Sequence, residues 1–324
     1  MSPQELREIV YGFQSSKIVL TAIELKLFNG LEDGRKNSKE ISELLSTNEK
    51  ATDRLMNALC SLDLLQKKHG KFSNTEFSSK YLVQGKPSYI SNLFHTINLW
   101  ESWSNLTEII YEGRPKDKFL NKRNEQRIEN FISAMHYRAS SQAEEDIKYL
   151  NLTDVKNVLD LGGGSGAYAI EFVKANKEIN ATVFDLPDVI PITEKYIAES
   201  GLSGKIRTIR GNYLTDNIGS GYDLIFLSAI IHSNSYEENK NLIQKCADAL
   251  NKNGQVVIQD FVMNEDRTSP AFGTFFAVNM LVNTQNGDTY TGSEISSWLT
   301  NAGLKDIKRI DTSHGAAQMI GRKF

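Results

Sequence analysis

Cysteine is scarce: Cys60 and Cys246 are the two in 324 residues. One separated pair cannot build a disulfide framework, and no metal-ligand spacing surrounds either thiol. Charge of one sign is not in excess either, since 37 Lys and Arg stand against 40 Asp and Glu, a net charge of −3. That balance argues against nucleic acid or an anionic membrane as the main partner. Long apolar runs are missing. The longest, LIFLSAII at 224–231, is far short of a membrane span. The first ten residues, MSPQELREIV, carry charges where a secretory leader needs an apolar centre. A soluble cytoplasmic protein is the expectation. What is present is ordinary, with 40% hydrophobic and 24% charged residues, and the length suggests two domains.

The two halves have different rhythms. Up to about residue 150 the pattern is helical. Ile18, Val19, Ala22, Ile23 and Leu27 recur at helical spacing within 16–31, and Asn37 with Glu40 forms a capping-box pattern before ISELLS. Leu55, Leu59 and Leu62 mark another helix, and LLQKKHGKFSNT reads as two short strands about a His69-Gly70 turn. Three helices and a small hairpin are the order of a winged helix-turn-helix. Its presumptive recognition helix sets Lys50 and Arg54 beside Glu49 and Asp53. A nearly neutral face suits packing or dimerisation better than DNA reading. Residues 86–150 continue as helices, with an aromatic stretch at 92–106 that includes Phe94, His95, Trp100 and Trp103, a charged turn at 112–119, and a long helix through 131–146.

From 155 onward strands alternate with helices, which implies an α/β fold: a Rossmann-like, mostly parallel sheet with helices on both faces. The expected division is a helical winged-helix domain over 1–85, a helical connector over 86–150 and a catalytic domain over 151–324. VLDLGGGSGA at 158–167 closes the first strand and opens the first helix. Glycines at that place let the chain turn sharply and let a ligand approach the free N–H groups of the helix. Asp185 ends the second strand, 23 residues after Gly162, where an acid commonly accepts hydrogen bonds from ribose hydroxyls. A nucleoside-bearing cofactor is therefore expected across strands one and two. Gly162, Gly164 and Ala167 also satisfy the dinucleotide pattern G-x-G-x-x-A, so a dinucleotide competes with S-adenosylmethionine. Asp160 directly before the glycines would welcome a cation, and Asn212 after the third strand offers an amide to an adenine amino group; both lean towards adenosylmethionine.

LDLGGGSG, FDLPDVI (184–190), RGNYL (210–214), DLIFLSAIIH (223–232), VIQDFVM (257–263) and GDTYTGSEISSWLTNAGL (287–304) occur in an order that resembles the small-molecule O-methyltransferases of the caffeate, hydroxyindole and polyketide type. The resemblance covers nearly the whole chain. It implies S-adenosylmethionine as cofactor, S-adenosylhomocysteine as product, a homodimer joined through a winged-helix N-terminal domain, and a hydroxylated aromatic small molecule as acceptor. Asp160, Gly162, Gly163 and Gly164 would line the methionine end of the cofactor. Asp185 and Leu186 would hold the ribose. Gly211, Asn212 and Tyr213 would flank the adenine, and Ser228 takes a position often held by Lys or Arg.

The family's general base falls on His232, and one of the two acids that flank it in plant members falls on Asp260. The other position is Thr289, which cannot hold an imidazolium by charge, and Ser233 and Asn234 follow the histidine where members have Asp-Trp. Phe131, Met135 and Tyr137 from the long helix, with Phe276, Met280 and Asn283 after the fifth strand, are the candidate walls of the acceptor pocket; His95 and His314 are further candidates. No metal constellation is apparent. Two alternatives are an enzyme of the same fold using the cofactor for decarboxylation or rearrangement, and a winged-helix regulator that senses a small ligand.

Overall fold

The first helix starts from a complete capping box. Ser2 Oγ accepts from Glu5 N–H, the Glu5 carboxylate accepts from Ser2 N–H, and Pro3 stands at the first helical position. The structure, a computed structural model describing residues 1–90, 92–115 and 125–324, forms two compact units, Met1–Asn98 and Leu99–Phe324. Part of the charged turn expected at 112–119 lies outside the described residues.

In the first unit α1 (Pro3–Glu24) begins well before the periodic stretch from residue 16. Residues 3–15 show no buried face, because Leu6, Ile9, Val10 and Phe13 are all exposed. Lys26 adopts a left-handed φ of 54° between α1 and α2 (Leu27–Gly30). The capping box of Asn37 and Glu40 opens α3 (Ser38–Leu45), and α4 (Glu49–Ser61) starts from the Asn48 side chain. Strands β1 (Leu65–Lys68) and β2 (Lys71–Asn74) pair antiparallel; His69 and Gly70 both have positive φ in the two-residue turn between them. Ala22, Ile23, Phe28, Ile41, Met56, Leu59 and Phe72 close the core of this winged unit.

The second unit is a seven-stranded sheet. Its strands are β3 (Asn157–Leu161), β4 (Asn180–Asp185), β5 (Ile206–Arg210), β6 (Tyr222–Ser228), β7 (Leu250–Asp260), and, after the two-stranded pair β8 (Val262–Met263) and β9 (Tyr290–Thr291), β10 (Lys305–Asp311) and β11 (Ala317–Arg322). The order is β10-β11-β7-β6-β3-β4-β5. Strands β3 to β7 run parallel and β11 is antiparallel to β7. Successive strand residues feed opposite cores: Leu159, Ile225, Leu227 and Ile258 pack with Leu242, Ile243 and Trp298 on one side, while Val158, Leu224, Phe226 and Val257 pack with Phe172, Ala143 and Ile147 on the other.

Because the chain leaves β3 towards β4 and leaves β6 towards β7, the order reverses between β3 and β6, and the carboxyl ends of all four strands share one edge. That edge is where an open α/β sheet binds ligands. Among the described residues no helix is long and apolar enough to cross a membrane.

Candidate active site

Four strand ends supply the edge. After β3 the chain turns through Gly162 to Gly166 into α9 (Ala167–Ala175), numbered after α5 (Glu76–Tyr81), α6 (Leu93–Trp103), α7 (Leu106–Glu112) and α8 (Glu125–Asp146). The Gly162 N–H donates to the Phe184 carbonyl at 2.7 Å, tying the turn to β4. Gly162 (φ 69°) and Gly164 (φ 56°) occupy the left-handed region that L side chains rarely adopt. A methyl group on Gly162 would lie 2.2 Å from Ile230 Cδ1, and one on Gly163 would lie 2.6 Å from the Asp160 carboxyl. These two glycines are thus accounted for within the protein. At Gly164 such a methyl would meet Ile132 Cδ1 at an ordinary packing distance of 3.7 Å, and the Gly164 N–H and carbonyl are held by Asp185 and Thr193, so its left-handed φ rather than crowding requires glycine there. At Gly211 the Phe184 ring would come within 2.5 Å, which makes its bareness a packing requirement.

The carboxylate of Asp185 accepts from the Gly164 N–H and from the Leu186 N–H, both at 2.7 Å. A carboxylate offers acceptors only, which suits hydroxyl donors. Asp160 is buried, accepts from the Ala169 N–H at 3.2 Å, and has its carboxyl pushed up to about 7, chiefly by burial and further by the charge of Asp185. A positive group beside this pair of acids would relieve that repulsion. An acceptor carboxylate at the end of β4 and a buried acid of β3 repelled by it fit an adenosyl group with a cationic end. Among the described residues no group of three or more His, Cys, Asp or Glu is placed to hold a metal.

Asn212 and Tyr213 follow β5. The Asn212 side-chain oxygen accepts from the Leu214 N–H at 3.0 Å, so the amide meant for adenine is also holding its own turn. The Tyr213 hydroxyl donates to Asn234 Oδ1 at 3.2 Å, Asn234 donates to Asn239 Oδ1 at 3.0 Å, and Asn239 donates to the Ile231 carbonyl at 2.8 Å. Tyr290 donates to the Asn234 carbonyl as well. Asn234 and Asn239 are buried, so this chain anchors the turn that bears His232. Ser228 is the last residue of β6 and is half-buried, while the buried Tyr168 hydroxyl bonds to Asp146 and Gln259.

His232 lies beyond β6, in a single 3-10 turn over Ile231–Ser233. The turn is entered through Ala229 in the left-handed region at φ 58°, a conformation that costs a non-glycine residue about 1–2 kcal/mol. The bond from Ala229 N–H to the Gln259 carbonyl at 2.9 Å holds it against β7. His232 Nδ1 sits 2.8 and 3.0 Å from the two carboxylate oxygens of Asp260, the last residue of β7. The imidazole is 12% exposed and the carboxylate 2%. A carboxylate only accepts, so Nδ1 carries the proton and the lone pair is on Nε2. Asp260 Oδ1 also accepts from the Phe261 N–H at 2.8 Å, and the Phe276 ring meets the imidazole edge-on at 4.8 Å. Thr289 is buried, and its backbone N–H donates to Asp288.

The other candidates separate. Phe276 touches His232, and Met280 is buried in the same helix, α12 (Ala271–Asn283), which follows α10 (Ile190–Glu199) and α11 (Tyr236–Ala249). Asn283 donates to Asn279, whose side-chain oxygen also takes the Trp103 indole N–H at 2.9 Å. Tyr137 is 44% exposed and points from the side of α8 opposite Ile132 and Ala143. His314 pairs with Glu145 at 3.3 Å, and His95 belongs to the first unit. His136 was not singled out in the sequence, yet its Nδ1 lies 2.9 Å from Ser165 Oγ in the glycine loop and its ring stacks on Tyr196 at 3.9 Å. Burial holds this imidazole below the usual histidine range, with Glu199 opposing. The spacing of Ile132, His136, Ala139 and Ala143 was the available signal, for it places His136 in the inward stripe.

A family model for the O-methyltransferase domain matches residues 103–305, and one for the O-methyltransferase dimerisation domain matches 7–84. The chain belongs to the O-methyltransferase family. It is a methyltransferase that uses S-adenosylmethionine. Among similar O-methyltransferases, the 3-hydroxy-5-methyl-1-naphthoate 3-O-methyltransferase of Streptomyces sahachiroi is 29% identical, over 95% of this chain and 91% of its own length. The acetylserotonin O-methyltransferase of Gallus gallus is 28% identical over 99% of this chain and 97% of its own. The crystal structure of human N-acetylserotonin methyltransferase in complex with SAM, 23% identical, matches in fold with a TM-score of 0.85, covering 99% of this chain and 97% of that one.

Proposed function

We propose that this enzyme methylates a hydroxyl group of an aromatic small molecule, with His232 as general base and Asp260 as the residue that positions it. The observation that carries the reading is the His232–Asp260 pair, its Nδ1 held at 2.8 Å by a buried carboxylate, on the same sheet edge as the glycine turn. S-adenosylmethionine, when bound, supplies an electrophilic methyl group on a positively charged sulfur. Gly162, Gly163, Gly164 and Asp160 are assigned to its methionine end, Asp185 and Leu186 to the ribose, and Gly211, Asn212 and Tyr213 to the adenine side.

A phenol with a pKa of about 10 is protonated at neutral pH. Nε2 would take that proton, the Asp260 carboxylate would stabilise the imidazolium that results, and the cofactor would supply the methyl group, its sulfur keeping the electron pair of the broken C–S bond as S-adenosylhomocysteine. General-base help of this kind is worth about 10²–10⁴-fold. Phe131, Met135 and Phe276 present flat and flexible apolar surface, which suits an aromatic ring and its alignment; orientation can supply up to about 7–11 kcal/mol. Relatives named for a naphthoate and for acetylserotonin support an aromatic acceptor. The dimerisation-domain match at 7–84 and the exposed stripe Leu6, Ile9, Val10 and Phe13 along α1 support a homodimer.

The test is product mass after incubation with S-adenosylmethionine and a panel of hydroxylated aromatics. A gain of one CH₂ is expected, and His232→Ala should keep its affinity for S-adenosylhomocysteine while turnover falls about 10²–10⁴-fold. No transfer to any aromatic hydroxyl, or a His232→Ala enzyme as fast as wild type, refutes the assignment.

A further inference from the structure

Helix α8 presents two neighbouring stripes. Ile132, His136 and Ala143 face the glycine turn and the core, while Phe131, Met135 and Arg138 follow one another at helical spacing beside them. The Arg138 guanidinium carbon lies 4.8 Å from the centre of the Phe261 ring. Phe261 packs against Phe276 at 4.7 Å, and Phe276 meets His232 at 4.8 Å. Side-chain contacts therefore run from a guanidinium, through the buried Phe261 and the half-buried Phe276, to the imidazole.

Arg138 is half-buried, and among the described residues its side chain makes no ion pair and no hydrogen bond. The Phe261 ring face attracts the cation but cannot take its five N–H donors. A planar fork of donors left without an acceptor at the edge of an aromatic surface matches a carboxylate.

We propose that Arg138 binds a carboxylate of the methyl acceptor, so that the acceptor is a hydroxylated aromatic acid. Its ring lies against the half-buried Phe276, its carboxylate meets Arg138, and its hydroxyl reaches His232 Nε2. This rests on the assignment of His232 as the base for an aromatic hydroxyl.

The test compares 3-hydroxy-1-naphthoate with its methyl ester as acceptors for wild type, Arg138→Gln and Arg138→Lys, alongside the affinity of each protein for S-adenosylhomocysteine. Wild type should prefer the acid by about 10- to 100-fold in kcat/KM, the range for a charge-assisted hydrogen bond. Arg138→Gln should lose that preference through KM, Arg138→Lys should retain part of it, and S-adenosylhomocysteine should bind all three within about twofold. An ester as good as the acid in wild type overturns the proposal. So does an Arg138→Gln protein that keeps the preference but loses cofactor affinity tenfold, because the carboxylate held would then be the cofactor's own. Methylation of neutral naphthols with neither probe accepted also overturns it, and leaves the aromatic O-methyltransferase reading standing. Methylation of no aromatic hydroxyl at all removes both.

Discussion

Replacing Asp260 by Asn keeps the shape of the side chain and removes one charge from beneath the imidazole. Asp260 Oδ1 now accepts from both the Phe261 N–H and His232 Nδ1, each at 2.8 Å, and Oδ2 stands 3.0 Å from Nδ1. An asparagine can place its oxygen at the first position and satisfy both donors. Its NH₂ group then sits against the Nδ1 proton, donor facing donor. With the carboxylate 2% exposed and the imidazole 12%, little water is present to screen the change. Two opposite charges about 4 Å apart interact by about 4 kcal/mol at an effective dielectric constant of 20, and a hydrogen bond to a charged group contributes about 1.5–3 kcal/mol. The imidazolium exists only once the proton has moved, so the loss of about 2–4 kcal/mol falls on the transition state and slows turnover about 30- to 10³-fold. The assay is kcat at saturating S-adenosylmethionine and acceptor, with S-adenosylhomocysteine titrated separately; its affinity should stay within about twofold. If Asp260→Asn turns over within threefold of wild type while His232→Ala is crippled, the carboxylate serves only the Phe261 backbone, and the positioning argument fails.

Two further outcomes follow from the charge and surface pattern. The Asp160 carboxyl, raised to about 7 chiefly by burial, favours its protonated form in the folded protein. Its stabilisation is therefore present at acid pH and is lost as pH climbs from about 4 to about 7, with at most about 4 kcal/mol at stake. Melting temperatures of the ligand-free protein across that range should decline more steeply in wild type than in Asp160→Asn, and parallel curves would count against a buried, protonated Asp160. On α1, the paired change Ile9→Asp and Phe13→Asp places charge in the exposed apolar stripe; sedimentation should show dimer giving way to monomer, and an unaltered dimer would put the interface elsewhere.

Much of the fold was legible because its signals are local. The capping box of Asn37 and Glu40, the His69-Gly70 turn, and the alternation of apolar strands with amphipathic helices from 155 onward each depend on a few neighbouring residues. The start of α1 was missed for a matching reason: residues 3–15 turn no side chain into the unit's own core, so apolar periodicity gave no inward face to find. His232 and Asp260 could be named from motif order, but their contact could not, since 28 positions separate them. His136 and Arg138 stand two residues apart, and one meets the glycine loop while the other meets Phe261. Only the rotation of the helix decides that.

The order of residues alone determined the class of fold, the bend after the first strand and the acid at the end of the second, because these arise from backbone preference and the period of apolar side chains. Tertiary structure decided what each glycine is for. Ile230, Asp160 and Phe184 crowd three of them from distant or sideways positions, while Gly164 is uncrowded by comparison and is required by its left-handed φ. It also decided which nitrogen of His232 is bare, since that depends on a carboxylate delivered by a different strand.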